Sequence, residues 1–159
     1  VQTEDGLNAK WADVTISDSK IITALADGID FDFGTGAIKN VTIINVGNDA
    51  IDLGDNSAVI SGCVISGAQD KGISIGGRSY PVISDCKIEK VDVGIQIKDD
   101  AWVDLSKTEI LDSRIAIHLY LKHHNKKSMK VKLREIDFAN NTRDILKDRF
   151  VQANAVSWY

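Results

Sequence analysis

Asp27 and Asp30 recur 22 residues later as Asp49 and Asp52, and Lys71 stands 22 residues after Asp49. If the chain returns to the same place every 22 residues, the four carboxylates crowd one edge of two neighbouring turns, with Asp32 close by. Carboxylates about 5 Å apart repel by roughly 3 kcal/mol per pair at an effective dielectric of about 20. Asp is also depleted in strands. The pattern therefore points to a ligand, and an oxygen-rich cluster suits Ca²⁺, which takes six to eight oxygens. The plainer reading is a solvated polar face. Lys71 continues the ladder begun by Asp27 and Asp49 and is the candidate general base, a role that needs its pKa lowered toward neutrality. Outward positions of the same repeat form one ladder, Asp30, Asp52, Ser74, Gln96 and His118. A second, two places on, runs Asp32, Gly54, Gly76, Lys98 and Tyr120. Ser74, Gln96, Lys98, His118 and Tyr120 are the candidate substrate contacts. Lys71 and His118 lie about two turns, roughly 10 Å, apart, so His118 and Tyr120 fall in neighbouring subsites. The face grades from acidic to basic and aromatic, as a linear anionic polymer bridged by an ion would require.

The interval of 22 is set by a recurring phrase: Gly28-Ile29-Asp30-Phe31, Ala50-Ile51-Asp52-Leu53, Gly72-Ile73-Ser74-Ile75, Gly94-Ile95-Gln96-Ile97 and Ala116-Ile117-His118-Leu119. A sixth copy, Asp144-Ile145-Leu146, follows 28 residues after the fifth. A period of this length marks a solenoid. Small–apolar–polar–apolar is the alternation of a half-buried strand. Two more alternating triplets recur upstream, one as Val41-Thr42-Ile43 and Cys63-Val64-Ile65, the other as Ala58-Val59-Ile60 and Pro81-Val82-Ile83. The expected fold is all-β: a right-handed, single-stranded parallel β-helix of about six coils of 22 residues, with three short strands per coil. Ile29, Ile51, Ile73, Ile95, Ile117 and Ile145 should stack in its interior. A leucine-rich repeat needs one strand per turn and leucines in register, and an α-solenoid needs a longer, helical period. Neither fits.

The length, 159 residues, suits one domain, with coils over about 14–146 and terminal caps at 1–13 and 147–159 that include Trp11, Phe150, Trp158 and Tyr159. The chain starts at Val1 and not at Met, as expected of a piece of a larger protein. A formal charge of −4 without a basic stripe argues against nucleic acid, and no apolar run reaches membrane-spanning length. The six-residue insertion around His123, His124, Asn125, Lys126 and Lys127 reads as a solvated loop. Cys63 and Cys86 share one inward position in adjacent coils. They are either a stacked apolar pair or an inter-coil disulfide, for which the spacing between neighbouring strands suffices.

The phrases Gly47-Asn48-Asp49-Ala50-Ile51-Asp52, Asp70-Lys71-Gly72-Ile73-Ser74-Ile75-Gly76 and Gly94-Ile95-Gln96-Ile97-Lys98-Asp99 resemble repeats of the pectin-lyase-like β-helix superfamily. More narrowly, they are similar to β-helix segments of large bacterial surface proteins that carry CotH-type and lamin-tail modules. In the superfamily's polysaccharide lyases, Ca²⁺ on aspartates neutralises a uronate carboxylate and a basic residue takes the C5 proton. The resemblance implies Asp49 and Asp52 for the ion and Lys71 for the base. The next rung, position 93, is Val, and the nearest further basic residues are Arg78 and Lys98. Two functions follow. One is a non-catalytic, polysaccharide-interacting or structural β-helix module of a bacterial cell-surface or secreted protein, working beside other domains of its parent chain. The other is a Ca²⁺-dependent lyase or C5-epimerase acting on uronate polymers.

Overall fold

Alternating apolar residues repeated at one interval can all be buried only if each strand lies on its own copy. A computed structural model describes residues 3–123 and 129–159 and shows that arrangement. The first sheet has seven strands, in chain order Leu7–Lys10, Ile29–Asp32, Ile51–Gly54, Lys71–Gly76, Val93–Lys98, Ile115–Tyr120 and Arg143–Lys147. All neighbours pair in parallel, so that Leu7, Ile29, Ile51, Ile73, Ile95, Ile117 and Ile145 form one column. The five central isoleucines are at most 1% exposed. The expected stack is present, and it gains a rung. Gly6-Leu7-Asn8-Ala9 is a further copy of the phrase, so the coils number about seven and begin at Leu7, within the segment expected to be a cap.

The second sheet stacks Asp13–Ser17, Thr35–Lys39, Val59–Ser61 and Val82–Ser84, and the third stacks Lys20–Ile22, Thr42–Ile44, Val64–Ser66 and Lys87–Glu89. Two ten-residue strands, Trp102–Leu111 and Lys130–Ala139, run through both sheets. They bend at Lys107 (φ 46°) and Glu135 (φ 52°). Val156–Trp158 adds a last strand beside Val131–Leu133, and Val151 and Ala155 join the core. The 28-residue step to the last copy keeps register, since Ile117 still faces Ile145. The part of the insertion at 124–128 lies outside the described residues.

The coil turns three corners, and each corner is made by one residue in the left-handed region. Asp18, Asn40, Gly62, Asp85, Lys107 and Glu135 form one such ladder, and Thr23, Asn45, Gly67, Lys90, Asp112 and Asn140 a second. The third, where the first sheet hands over to the second, is Trp11, Phe33, Asp55, Gly77 and Asp99. Left-handed backbone suits Gly, Asn and Asp and is costly for other residues. The small residue that opens each phrase has a packing reason: a Cβ at Gly94 would stand 2.5 Å from the Ala116 carbonyl oxygen and 2.5 Å from Ile110 Cγ2.

Candidate functional site

The candidate site is the outer face of the first sheet and the turn leading into it. Register places Asp30 beside Asp52, Asp52 beside Ser74, Ser74 beside Gln96, and Gln96 beside His118, as the spacing requires. Several of these side chains, however, are engaged by the protein itself.

The turn aspartates are hydrogen-bond acceptors for the next coil. Asp27 N–H donates to Asp5 (3.1 Å), Asp49 N–H to Asp27 (2.9 Å) and Lys71 N–H to Asp49 (3.1 Å). Asn48 also donates its amide to Asp27 (2.8 Å). Each carboxylate thus satisfies a backbone donor that the turn would otherwise leave unpaired. The crowding that suggests a ligand has this structural cause. Asp30 accepts from the Asn8 amide (2.6 Å), and Lys10 lies 3.7 Å from Asp30 and 3.3 Å from Asp32. Burial raises the Asp27 and Asp30 pKa values above the usual carboxylate range.

Lys71 does not have the environment of a base. Its ammonium is 3.2 Å from Asp49 and hydrogen-bonded to Asp70 as well. Burial opposes its charge, but the hydrogen bonds and negative charges of Asp70 and Asp49 outweigh that, and its pKa is raised. The sequence reading requires a lowered pKa, and the two flanking carboxylates reverse it. Asp49 is only 3% exposed, and burial lifts its pKa to about 6 although Lys71 works against the rise.

Ser74 is fully buried and its hydroxyl has no hydrogen-bond partner. An enclosed side chain cannot touch a polymer at the surface, so its assignment as a substrate contact is corrected. His118 is corrected in part. The Gln96 amide donates to His118 Nδ1 (3.1 Å), which assigns the ring proton to Nε2, and this faces Asp148 (3.2 Å). Both nitrogens are engaged, and only the ring, 5.5 Å from that of Tyr120, could meet a ligand. Asp148 also accepts the Leu121 N–H (3.2 Å), so His118 ties the C-terminal segment to the sheet. Lys98 and Tyr120 stand side by side in register, with Tyr120 36% exposed. They are the expected contacts that remain presented outward. His123 is an exposed loop residue, as expected, and buried Asp99 holds it through its N–H (2.8 Å) and its Nδ1 (2.8 Å). His124 lies outside the described residues.

Three of the four carboxylates expected to take the divalent ion already have partners within the protein. The Lys71 ammonium sits between Asp49 and Asp70, and Asp27 and Asp30 are served by amides and Lys10. Among the described residues, no three carboxylate, imidazole or thiol groups converge to hold a metal. Cys63 and Cys86 are buried free thiols, each donating to the carbonyl two residues back.

Aromatic pairs that the sequence reading did not join lie at the neighbouring corner. Trp11 and Phe33 stack with ring centroids 4.3 Å apart and planes at 10°, and Trp11 is 78% exposed. Beside them opens a cavity of about 450 Å³ that reaches Thr35, Asp55 and Ser57. Farther along, Tyr80 and Trp102 meet edge to face at 6.0 Å, with Lys130 over the Trp102 ring at 4.3 Å. The signal was in the sequence: Trp11 and Phe33 are 22 residues apart, as are Tyr80 and Trp102.

The family model described as right handed beta helix region matches residues 5–144. The chain belongs to that family, and its coil is a right-handed parallel β-helix. No curated protein matches the sequence. The family match is to the β-helix as a class, and the narrower likeness to surface proteins with CotH-type modules rests on the sequence phrases alone.

Proposed function

We propose that this is a non-catalytic, polysaccharide-binding β-helix module of a larger cell-surface or secreted protein. One observation carries the choice against catalysis: the candidate base, Lys71, is clamped between Asp49 and Asp70 with its pKa raised. An ammonium so held does not take a proton from a sugar carbon at neutral pH. The geometry supports a polymer ligand, because each ladder presents one position per coil, about 4.8 Å apart, as a chain of repeating units demands. Bacterial origin and a location outside the cell come with this reading.

The test is to incubate the domain with polygalacturonate, alginate and hyaluronan, with and without Ca²⁺. Unsaturated uronate products are followed by ultraviolet absorbance, and binding by calorimetry. Binding without turnover supports the module. Turnover that disappears in Lys71→Ala would overturn it in favour of the lyase or epimerase, and no binding to any glycan would overturn both.

A further inference from the structure

We infer that the glycan lies along the corner between the first and second sheets, in a lane from Trp11 to Lys132, and that the sugar at the lysine end carries a carboxylate. The inference rests on the polysaccharide-binding reading and names its surface and ligand class.

The lane begins with an unfavourable choice of residues. At this corner three of five rungs are Asp or Gly, which tolerate left-handed backbone. Trp11 (φ 57°) and Phe33 (φ 52°) do not, and left-handed backbone is unfavourable for such residues. Their mutual stacking offsets that strain at most in part, so the fold gains little from having them. Both are exposed, Trp11 by 78% and Phe33 by 42%. Strained residues that do not serve the core are where function is sought. An exposed aromatic face with hydroxyls and a carboxylate at its side suits the apolar face of a pyranose ring and the hydroxyls at its edge. Here Thr35, Ser57 and Asp55 supply those polar groups.

The lane is continuous because the ladder is. The position of Thr35 and Ser57 becomes Tyr80, Trp102 and Lys130 in later coils, since Val59 pairs with Val82 and Trp102 with Lys130. Tyr80 is 48% exposed and Val82 45%, and with Trp102 they line a second groove of about 360 Å³. The five steps from the rung of Asp13 to that of Lys130 span roughly 24 Å at about 4.8 Å per coil, a length that holds several sugar residues end to end. Charge sets the direction. Lys130 and Lys132 line the second groove. Among the described residues, neither pairs with a carboxylate, whereas neighbouring Asp104 is taken by Arg134. On a chain of net charge −4, two unneutralised ammonium groups beside an aromatic floor complement an acidic sugar.

The experiment measures binding of hexagalacturonate and, as a neutral comparison, cellohexaose to the whole chain. The variants are Trp11→Ala, Tyr80→Ala, the pair Lys130→Gln/Lys132→Gln and, on the other face, Tyr120→Ala, each checked for folding by circular dichroism. The expected result is at least a tenfold loss of hexagalacturonate affinity in Trp11→Ala and Tyr80→Ala. The lysine pair should erase the preference for hexagalacturonate over cellohexaose, and Tyr120→Ala, which probes the rival polar face, should lose less affinity than either aromatic lane variant. Wild-type affinity in the lane variants with a loss in Tyr120→Ala would overturn the lane and leave the glycan-binding reading standing. Equal affinity of the wild type for the acidic and neutral hexamers would overturn the carboxylate assignment. Failure of the wild type to bind any glycan in the broader panel would remove the functional reading itself.

Discussion

The turn into the first sheet and the corner out of it carry side chains of opposite economy. At the entry, every conspicuous polar group is engaged within the protein: Asp5, Asp27 and Asp49 each accept the backbone N–H of the coil above, and Lys71 closes the series with an ion pair. At the exit, Trp11 and Phe33 hold unfavourable backbone and face solvent. A dense set of charged residues in a repeat is thus weak grounds for a ligand, because stacking creates orphan donors that carboxylates can satisfy. Residues that burden the fold without repaying it are better grounds.

That contrast can be broken by experiment. The reference is the shared core: Ile73→Ala should cost about 2–5 kcal/mol in denaturant unfolding, by lost transfer and a residual cavity. Next is the pH response of the entry turn. Asp49 has a folded pKa of about 6, above that of an unfolded carboxylate. The folded state therefore holds more protons than the unfolded state between about pH 4 and 6, and stability falls as pH rises through that window. The limit for a shift of about two units is about 3 kcal/mol. Asp49→Asn should flatten this slope, and a wild-type stability that rises from pH 4.5 to 6.5 with no change in the variant would refute the assignment. At the exit corner, Phe33→Gly should move stability by less than about 1 kcal/mol, because relief of left-handed backbone and loss of stacking nearly cancel. A loss of 3 kcal/mol or more would make the aromatic pair a structural staple. The smallest effect expected is that of calcium: the melting temperature should be the same in chelator and in millimolar Ca²⁺. A rise of several degrees, which binding to the folded state alone would produce, would mean that the aspartates release Lys71 and their amides to take the ion.

The coil was legible in the sequence because a ladder demands the same kind of residue at each rung, and Ile29 through Ile145 meet that demand. The first rung, Leu7, was harder to see because it departs from isoleucine and its phrase ends in Ala9. The corners were less legible, since left-handed positions accept residues as different as Gly62, Lys107 and Glu135. For the polar face, register was readable but bonding was not. That Asp30 lies by Asp52 follows from counting, whereas the N–H of Asp49 pointing at Asp27 depends on how the turn is wound. The partner that fixes His118 is Asp148, just past the last strand of the first sheet and off the 22-residue beat. Ser74 alternates outward by period and is nevertheless enclosed.

The step from Ile117 to Ile145 is six residues longer than the others, yet the two pair as their predecessors do. Each coil therefore depends on contact with its neighbours and not on a fixed length of chain between them. Length in this protein comes in units. Deleting residues 50–71, one whole period, should bring Gly72-Ile73-Ser74 onto Gly28-Ile29-Asp30 and leave a folded, shorter rod, whereas deleting half as many would set inward residues against outward ones. A gene for such a protein can grow or shrink by duplication or loss of a 22-codon segment, and each face of the rod would change in reach by about 4.8 Å each time.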